Sequence, residues 1–172
     1  VLQLPPAASD PSFRNLLDEE GKPVDEAWKA RRREFLLQAY RASKSDVLIV
    51  ELFPFGRRQM RFELLPWLDA ARGAARRPIT ISSVRDVLGG GQRDPSRQDD
   101  MLALFERYFD HLLVHGDPDL VAFDRTFRHT AALGERLHYT GYVVDRANGT
   151  HGEHDAGKDE VIVSAGGGAV GL

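Results

Sequence analysis

Four short apolar runs, rich in β-branched residues and separated by segments of helical periodicity, constrain the fold of this chain most strongly. They begin at Asp46, Ile79, His111 and Leu137. Strands that alternate with helical segments form βαβ units, and the strands of such units lie parallel in one sheet. The sequence therefore predicts an α/β protein with a doubly wound parallel sheet. The run from Asp46 is polar only at its ends, so we expect a strand buried on both faces.

The segments around these runs predict three helices, over residues 25–42, 57–75 and about 99–109. Asp25 is the expected N-cap of the first helix, because its carboxylate can accept from the free N–H groups of the first turn. Pro66 lies inside the second pattern and predicts a kink or a break there. Residues 5–24 show little periodicity and are predicted to form a loop.

The composition excludes several classes of protein. The 23 basic and 26 acidic residues give a net charge of −3, without the basic footprint that nucleic-acid binding needs. The absence of cysteine excludes a disulfide framework, a thiolate metal site and a cysteine nucleophile. No apolar run approaches the ~20 residues that span a bilayer. We therefore expect a cytoplasmic protein that does not bind nucleic acid.

Ligands of open parallel sheets bind beyond the carboxyl ends of the strands, and the loop over residues 51–58 follows the first strand. It holds an acid, two aromatic residues and two arginines, with Glu51 and Arg58 as the candidate site residues. The aromatic residues either face a ligand or cover the edge of the sheet while the arginines stay solvated. Both interpretations remain open.

The next two strand ends offer further candidates. Arg85 follows the second strand and either contacts substrate or forms an ion pair with Asp86. His115 ends the third strand and precedes a glycine, so it is a candidate base or anion-binding donor. Asp117 is a second candidate, although an Asp-Pro pair commonly caps the start of a helix.

A glycine-rich turn near the end of the chain predicts a phosphate site. A buried strand running into glycines lets backbone N–H groups approach a phosphate closely. The candidate residues are Ser164, Gly166, Gly167 and Gly168, and the alternative is a tight strand-to-helix turn. The preceding segment, 145–159, is polar and glycine-rich, so it is predicted to be a linker. Its histidines are too loosely spaced to predict a metal site, and we expect no metal and no cofactor.

Several stretches resemble predicted bacterial glycosyltransferases of a family-28-like type, related to the lipid-II-forming N-acetylglucosaminyltransferases. The longest runs from Asp46 to Pro66 and contains Phe-Pro-Phe-Gly-Arg-Arg. The others are Ser82-Ser-Val-Arg-Asp86, Leu113-Val-His-Gly-Asp-Pro118, Thr140-Gly-Tyr-Val143 and Ser164-Ala-Gly-Gly-Gly-Ala-Val-Gly171. The resemblance implies a GT-B architecture of two Rossmann-like domains. Residues 1–144 would be part of the acceptor-side domain, 145–159 the linker, and 160–172 the start of the nucleotide-sugar domain.

The activity that the resemblance implies is transfer of a sugar from a nucleotide-sugar donor to an acceptor hydroxyl. His115, Asp117 and Glu51 are the candidate catalytic residues, and Arg58 and Arg85 would hold an anionic acceptor. Ser164 and the glycines after it would bind the donor diphosphate, and the acceptor could bring the protein to a membrane surface. The family's first strand would precede Val1 and most of its donor domain would follow Leu172, so we expect this chain to be inactive alone.

Two alternatives remain open from the sequence. One is a nucleotide-sugar 2-epimerase, which keeps the two-domain fold and changes the reaction. The other is a non-catalytic, flavodoxin-like binding module. Such a module commonly needs an acidic cluster at its strand ends, whereas Glu51, Asp86 and Asp117 are scattered along the sequence.

Overall fold

The computed structural model describes residues 2–12, 14–88 and 94–143. Its helices are α1 (Glu26–Ser43), α2 (Arg61–Arg72), α3 (Pro95–Tyr108) and the short α4 (Thr130–Leu133). Its strands are β1 (Ala8–Ser9), β2 (Leu16–Leu17), β3 (Val47–Glu51), β4 (Ile79–Arg85), β5 (His111–His115) and β6 (Leu137–Tyr139). The described residues thus form a mixed α/β fold.

Strands β3 to β6 form a four-stranded sheet in the order β3-β4-β5-β6, and every neighbouring pair is parallel. The predicted parallel α/β sheet is therefore confirmed. Glu51 is paired with Ser83 and Arg85 with His115, so the carboxyl ends of the strands meet at one edge. We call this the carboxyl edge of the sheet.

Helices cover only one face of this sheet within the described residues. Leu48, Val50 and Val84 are buried on the covered face, while Val47 and Ile49 on the other face are 46% and 60% exposed. The expectation that the run from Asp46 is buried on both faces is therefore wrong here. The strand order explains the asymmetry, because successive right-handed crossovers in one direction place all connecting helices on the same side. We call the uncovered side the open face.

The aromatic residues of the loop after β3 belong to the core. Phe53 and Phe55 are fully buried, and the Phe55 ring lies 5.1 Å from that of Phe127 and 5.7 Å from that of Phe123 between centroids. Edge-on ring pairs at such distances are favourable beyond the area they bury. The interpretation that these two aromatic residues face a ligand is therefore wrong.

The helix boundaries follow their capping residues. Asp25 caps α1 as expected, since its carboxylate accepts a hydrogen bond from Trp28 N at 2.7 Å. Helix α3 begins earlier than expected, at Pro95, because Asp94 accepts from Ser96 N at 3.0 Å and acts as its N-cap. Helix α2 continues through Pro66, so of the two outcomes predicted there, a kink or a break, the break is wrong.

Two short segments differ from the expected strands and loops. Strand β6 begins at Leu137 as predicted and spans only three residues, ending at Tyr139. The predicted N-terminal loop contains an antiparallel pair, in which Ala8 lies opposite Leu17. Pairs of only two residues carry no periodic signal that a sequence pattern could reveal.

A buried ion pair joins α1 to α2. Arg32 Nε donates to Glu63 Oε2 at 2.6 Å, and the two side chains are only 11% and 3% exposed. Arg32 also donates to the carbonyl of Pro5, which ties the N-terminal segment to the helices. Burial raises the pKa of Glu63, and the hydrogen bond and charge of Arg32 oppose that rise without cancelling it.

Candidate functional site

Three side chains from neighbouring strands form a hydrogen-bonded chain at the carboxyl edge. His115 Nε2 lies 2.7 Å from Ser83 Oγ, and His115 Nδ1 lies 2.7 Å from Thr140 Oγ1. Ser83 comes from β4, His115 ends β5 and Thr140 directly follows β6. Ser83 and His115 are half-buried and Thr140 is exposed. We call this arrangement the Ser83–His115–Thr140 chain.

The carbonyl oxygens near Thr140 are compatible with one of the two tautomers of His115. Thr140 Oγ1 lies 3.1 Å from the carbonyl oxygen of Gly141, and a hydroxyl group has a single proton to donate. When Thr140 donates this proton to the carbonyl oxygen of Gly141, its own hydroxyl oxygen accepts a hydrogen bond from His115 Nδ1–H. The lone pair of the imidazole then lies on Nε2 and accepts from the hydroxyl of Ser83. The arrangement suits a base that takes a proton through Nε2.

Arg85 lies next to this chain. It is the register partner of His115, and it is exposed with no polar partner recorded in the described part of the chain. The alternative that Arg85 pairs with Asp86 is wrong: the Asp86 carboxylate accepts from Val87 N at 2.9 Å and from the Tyr142 hydroxyl at 3.0 Å. The hydrogen bond to Asp86 is the main cause of the raised pKa of Tyr142. Arg85 is therefore a cation available to a ligand.

Glu51 and Asp117, the other two expected catalytic residues, have local partners. Glu51 ends β3 beside Ser83, and its carboxylate lies 2.5 Å from the guanidinium of Arg57. Asp117 accepts from the backbone N–H of Asp119 at 2.9 Å and so caps a turn. The structure thus gives Asp117 a capping role, although in a turn and not in a helix.

Gly116 allows the ends of β4 and β5 to lie close together. A Cβ atom at this position would lie less than 3.0 Å from Asp86 Cβ and 3.2 Å from Asp86 Cγ. Such separations are well below the optimum of about 3.5–4.0 Å between carbon atoms. The glycine after His115 therefore serves close packing beside the candidate site.

Sequence reasoning missed Ser83 and Thr140 as site residues. The two-residue period of a strand places Ser83 on the same face as Arg85, so that signal was available. Thr140 carried no comparable signal, because its approach to His115 depends on the pairing of β6 with β5. Arg58, the remaining described candidate, lies before α2 and lines a separate cavity. Ser164, Gly166, Gly167 and Gly168 lie outside the described residues, as do the proposed linker and second domain.

No family model matches the chain, no curated protein matches it, and no solved structure matches it. Over the described ranges 2–12, 14–88 and 94–143, no helix combines the length and apolar character needed to cross a membrane. The same residues contain no group of three or more metal-ligating side chains.

Proposed function

We propose that the intact protein is a glycosyltransferase of GT-B type that transfers a sugar from a nucleotide-sugar donor to an acceptor hydroxyl. The observation that supports this proposal best is the Ser83–His115–Thr140 chain at the carboxyl edge of a parallel sheet. Ligands of open α/β sheets bind at this edge, and a neutral imidazole held in one tautomer suits the deprotonation of a hydroxyl group. The resemblance described above supplies the reaction class.

In the proposed reaction, the acceptor hydroxyl donates to Ser83 Oγ, and Ser83 donates to His115 Nε2. As the acceptor oxygen bonds to the anomeric carbon of the donor sugar, its proton passes to Ser83 and the proton of Ser83 passes to His115. The bond between the anomeric carbon and the donor phosphate oxygen breaks, and the nucleoside diphosphate leaves. Thr140 acts as a positioning residue that keeps the Nδ1 proton directed away from the acceptor.

Arg85 is the proposed contact for a negative charge on the acceptor. It is exposed beside His115, and a guanidinium binds carboxylate and phosphate groups in a bidentate geometry. Ser164 and the glycines up to Gly168 are the proposed binding site for the nucleotide-sugar donor, and their backbone N–H groups would hold its diphosphate. We place this reaction in the cytoplasm, with the acceptor as the possible link to a membrane surface.

Transfer from a panel of nucleotide sugars by the full-length protein tests the proposal. We expect His115→Ala to lower kcat by about 100-fold or more, the range typical of a lost general base. His138→Ala is the matched control, since His138 is exposed on the same sheet and bonds only to His111 among the described residues. Thr140→Val should shift the pH profile of kcat while leaving the acceptor KM nearly unchanged.

Unchanged turnover in His115→Ala would remove the proposed base. Conversion of the nucleotide sugar without any acceptor would instead identify an epimerase. Failure of every nucleotide sugar to bind would contradict the proposed transferase as a whole.

A further inference from the structure

Two adjoining cavities lie between the N-terminal hairpin, the start of α1 and the residues that precede α2. The larger has a volume of about 400 Å³ and the smaller about 270 Å³, and both are lined by Leu16 and Gln59. None of the three residues of the Ser83–His115–Thr140 chain lines either cavity. We call the two cavities together the cationic cleft.

The charges on the walls of the cationic cleft all have the same sign. Its charged lining residues are Arg14, Lys29, Arg32, Arg57 and Arg58, and among the described residues no aspartate or glutamate lines it. This distribution contrasts with the net charge of −3 of the whole chain. A concave surface that collects one sign of charge focuses the electric field and attracts the opposite charge.

The cations of the cleft differ in how far they are neutralised. Arg32 is paired with the buried Glu63, Arg57 with Glu51 and Lys29 with Glu26. The side chains of Arg14 and Arg58 are exposed, with no polar partner recorded among the described residues. Arg14 lines the smaller cavity and Arg58 the larger one, so each cavity has one uncompensated guanidinium.

We infer that the cationic cleft binds a ligand with two linked anionic groups, of which a diphosphate is the simplest. Guanidinium groups bind phosphate oxygens in a bidentate geometry, and each of the two adjoining cavities is lined by one exposed guanidinium with no partner among the described residues. The paired cations Lys29, Arg32 and Arg57 add further hydrogen-bond donors to the cleft, while their carboxylate partners are not among its lining residues. The inference does not depend on the proposed transfer reaction, because it concerns binding and not chemistry at His115.

Calorimetric titration of the 172-residue chain with inorganic pyrophosphate tests this site. We expect saturable binding at about physiological ionic strength, where exposed charges more than ~8 Å apart are largely screened. Arg58→Glu and Arg14→Glu should each weaken binding about tenfold or more, and the double variant should abolish it. Neither side chain has a polar partner within the described part of the chain, so thermal melting should show both variants folded.

Arg72→Glu is the control, because Arg72 lies at the other end of α2 and the substitution changes the net charge equally. An equal loss of binding in Arg72→Glu would show nonspecific attraction and overturn the inference, as would the absence of binding in the wild-type chain. Sedimentation with phosphatidic acid vesicles distinguishes the source of the phosphate. Vesicle binding that Arg58→Glu abolishes, without any binding of pyrophosphate, would show recognition of a single phosphate at a lipid surface and would also overturn the inference.

Discussion

Substitution of Gly116 by alanine should destabilise the protein through one defined contact. The new methyl group would lie less than 3.0 Å from Asp86 Cβ and 3.3 Å from Asp86 Oδ2. Rotation of the Asp86 side chain relieves the contacts with its carboxylate but not that with Cβ, which the backbone positions. The ends of β4 and β5 must therefore separate, next to the pairing of Arg85 with His115.

Forced overpacking of this kind typically costs about 1–3 kcal/mol. For a cost of about 2 kcal/mol, the melting temperature of a domain of this size should fall by about 4–8 °C. Urea denaturation of both proteins, monitored by circular dichroism, measures the free energy of unfolding directly. Gly73→Ala is the matched control: its methyl group would meet only Asp69 O, at 3.4 Å, so it should be neutral or stabilising by up to about 1 kcal/mol.

A double-mutant cycle tests the cause of the loss. In an Asp86→Gly background the obstructing Cβ is absent, so Gly116→Ala should cost close to nothing there. The coupling free energy should equal most of the original loss, about 1–3 kcal/mol. If Gly116→Ala is as stable as the wild type, or costs the same in both backgrounds, the steric reasoning is refuted.

Three further substitutions test other parts of the fold. Phe55→Ala should lower the free energy of unfolding by about 3–5 kcal/mol, because it opens a cavity at a fully buried ring; a loss below 1 kcal/mol would contradict its place in the core. Asp94→Ala should cost about 1 kcal/mol by removing the N-cap of α3, with Asp119→Ala as an exposed control. Burial raises the pKa of Glu63, so its protonation stabilises the folded state, and this contribution is lost as the pH rises through the folded-state pKa. The free energy of unfolding of the wild type, relative to that of Glu63→Gln, should therefore decrease as the pH rises above about 4, the ordinary pKa range of glutamate. A difference that does not change with pH would contradict the raised pKa.

The sequence predicted the parts of the fold that local patterns encode. The runs from Asp46, Ile79 and His111 predicted parallel strands correctly, because β-branched apolar residues between polar ends favour such strands. Asp25 predicted the start of α1 correctly, because capping acts within a single turn. Both signals depend on residues that are close together in the chain.

The errors concern properties that depend on distant residues. Whether a strand is covered on one face or two depends on the direction of the crossovers, which the run from Asp46 does not encode. Phe53 and Phe55 were predicted either to face a ligand or to cover the sheet edge. In the structure the Phe53 ring packs against Phe109, and the Phe55 ring packs against Phe123 and Phe127, all far away in the sequence. The same distinction applies to the candidate site. His115 was predicted from its position at the end of a strand, whereas the contact of Thr140 with His115 depends on the register between β6 and β5.

The order of the strands in the sheet repeats their order in the chain, and this has a consequence for how the protein is synthesised. Each strand after β3 pairs with the one that leaves the ribosome immediately before it. The sheet can therefore grow outward from β3 by one strand at a time, without waiting for a later strand to be inserted between two earlier ones. Because domains commonly acquire structure from the N-terminus during translation, this topology lets each completed βαβ unit serve as the template for the next.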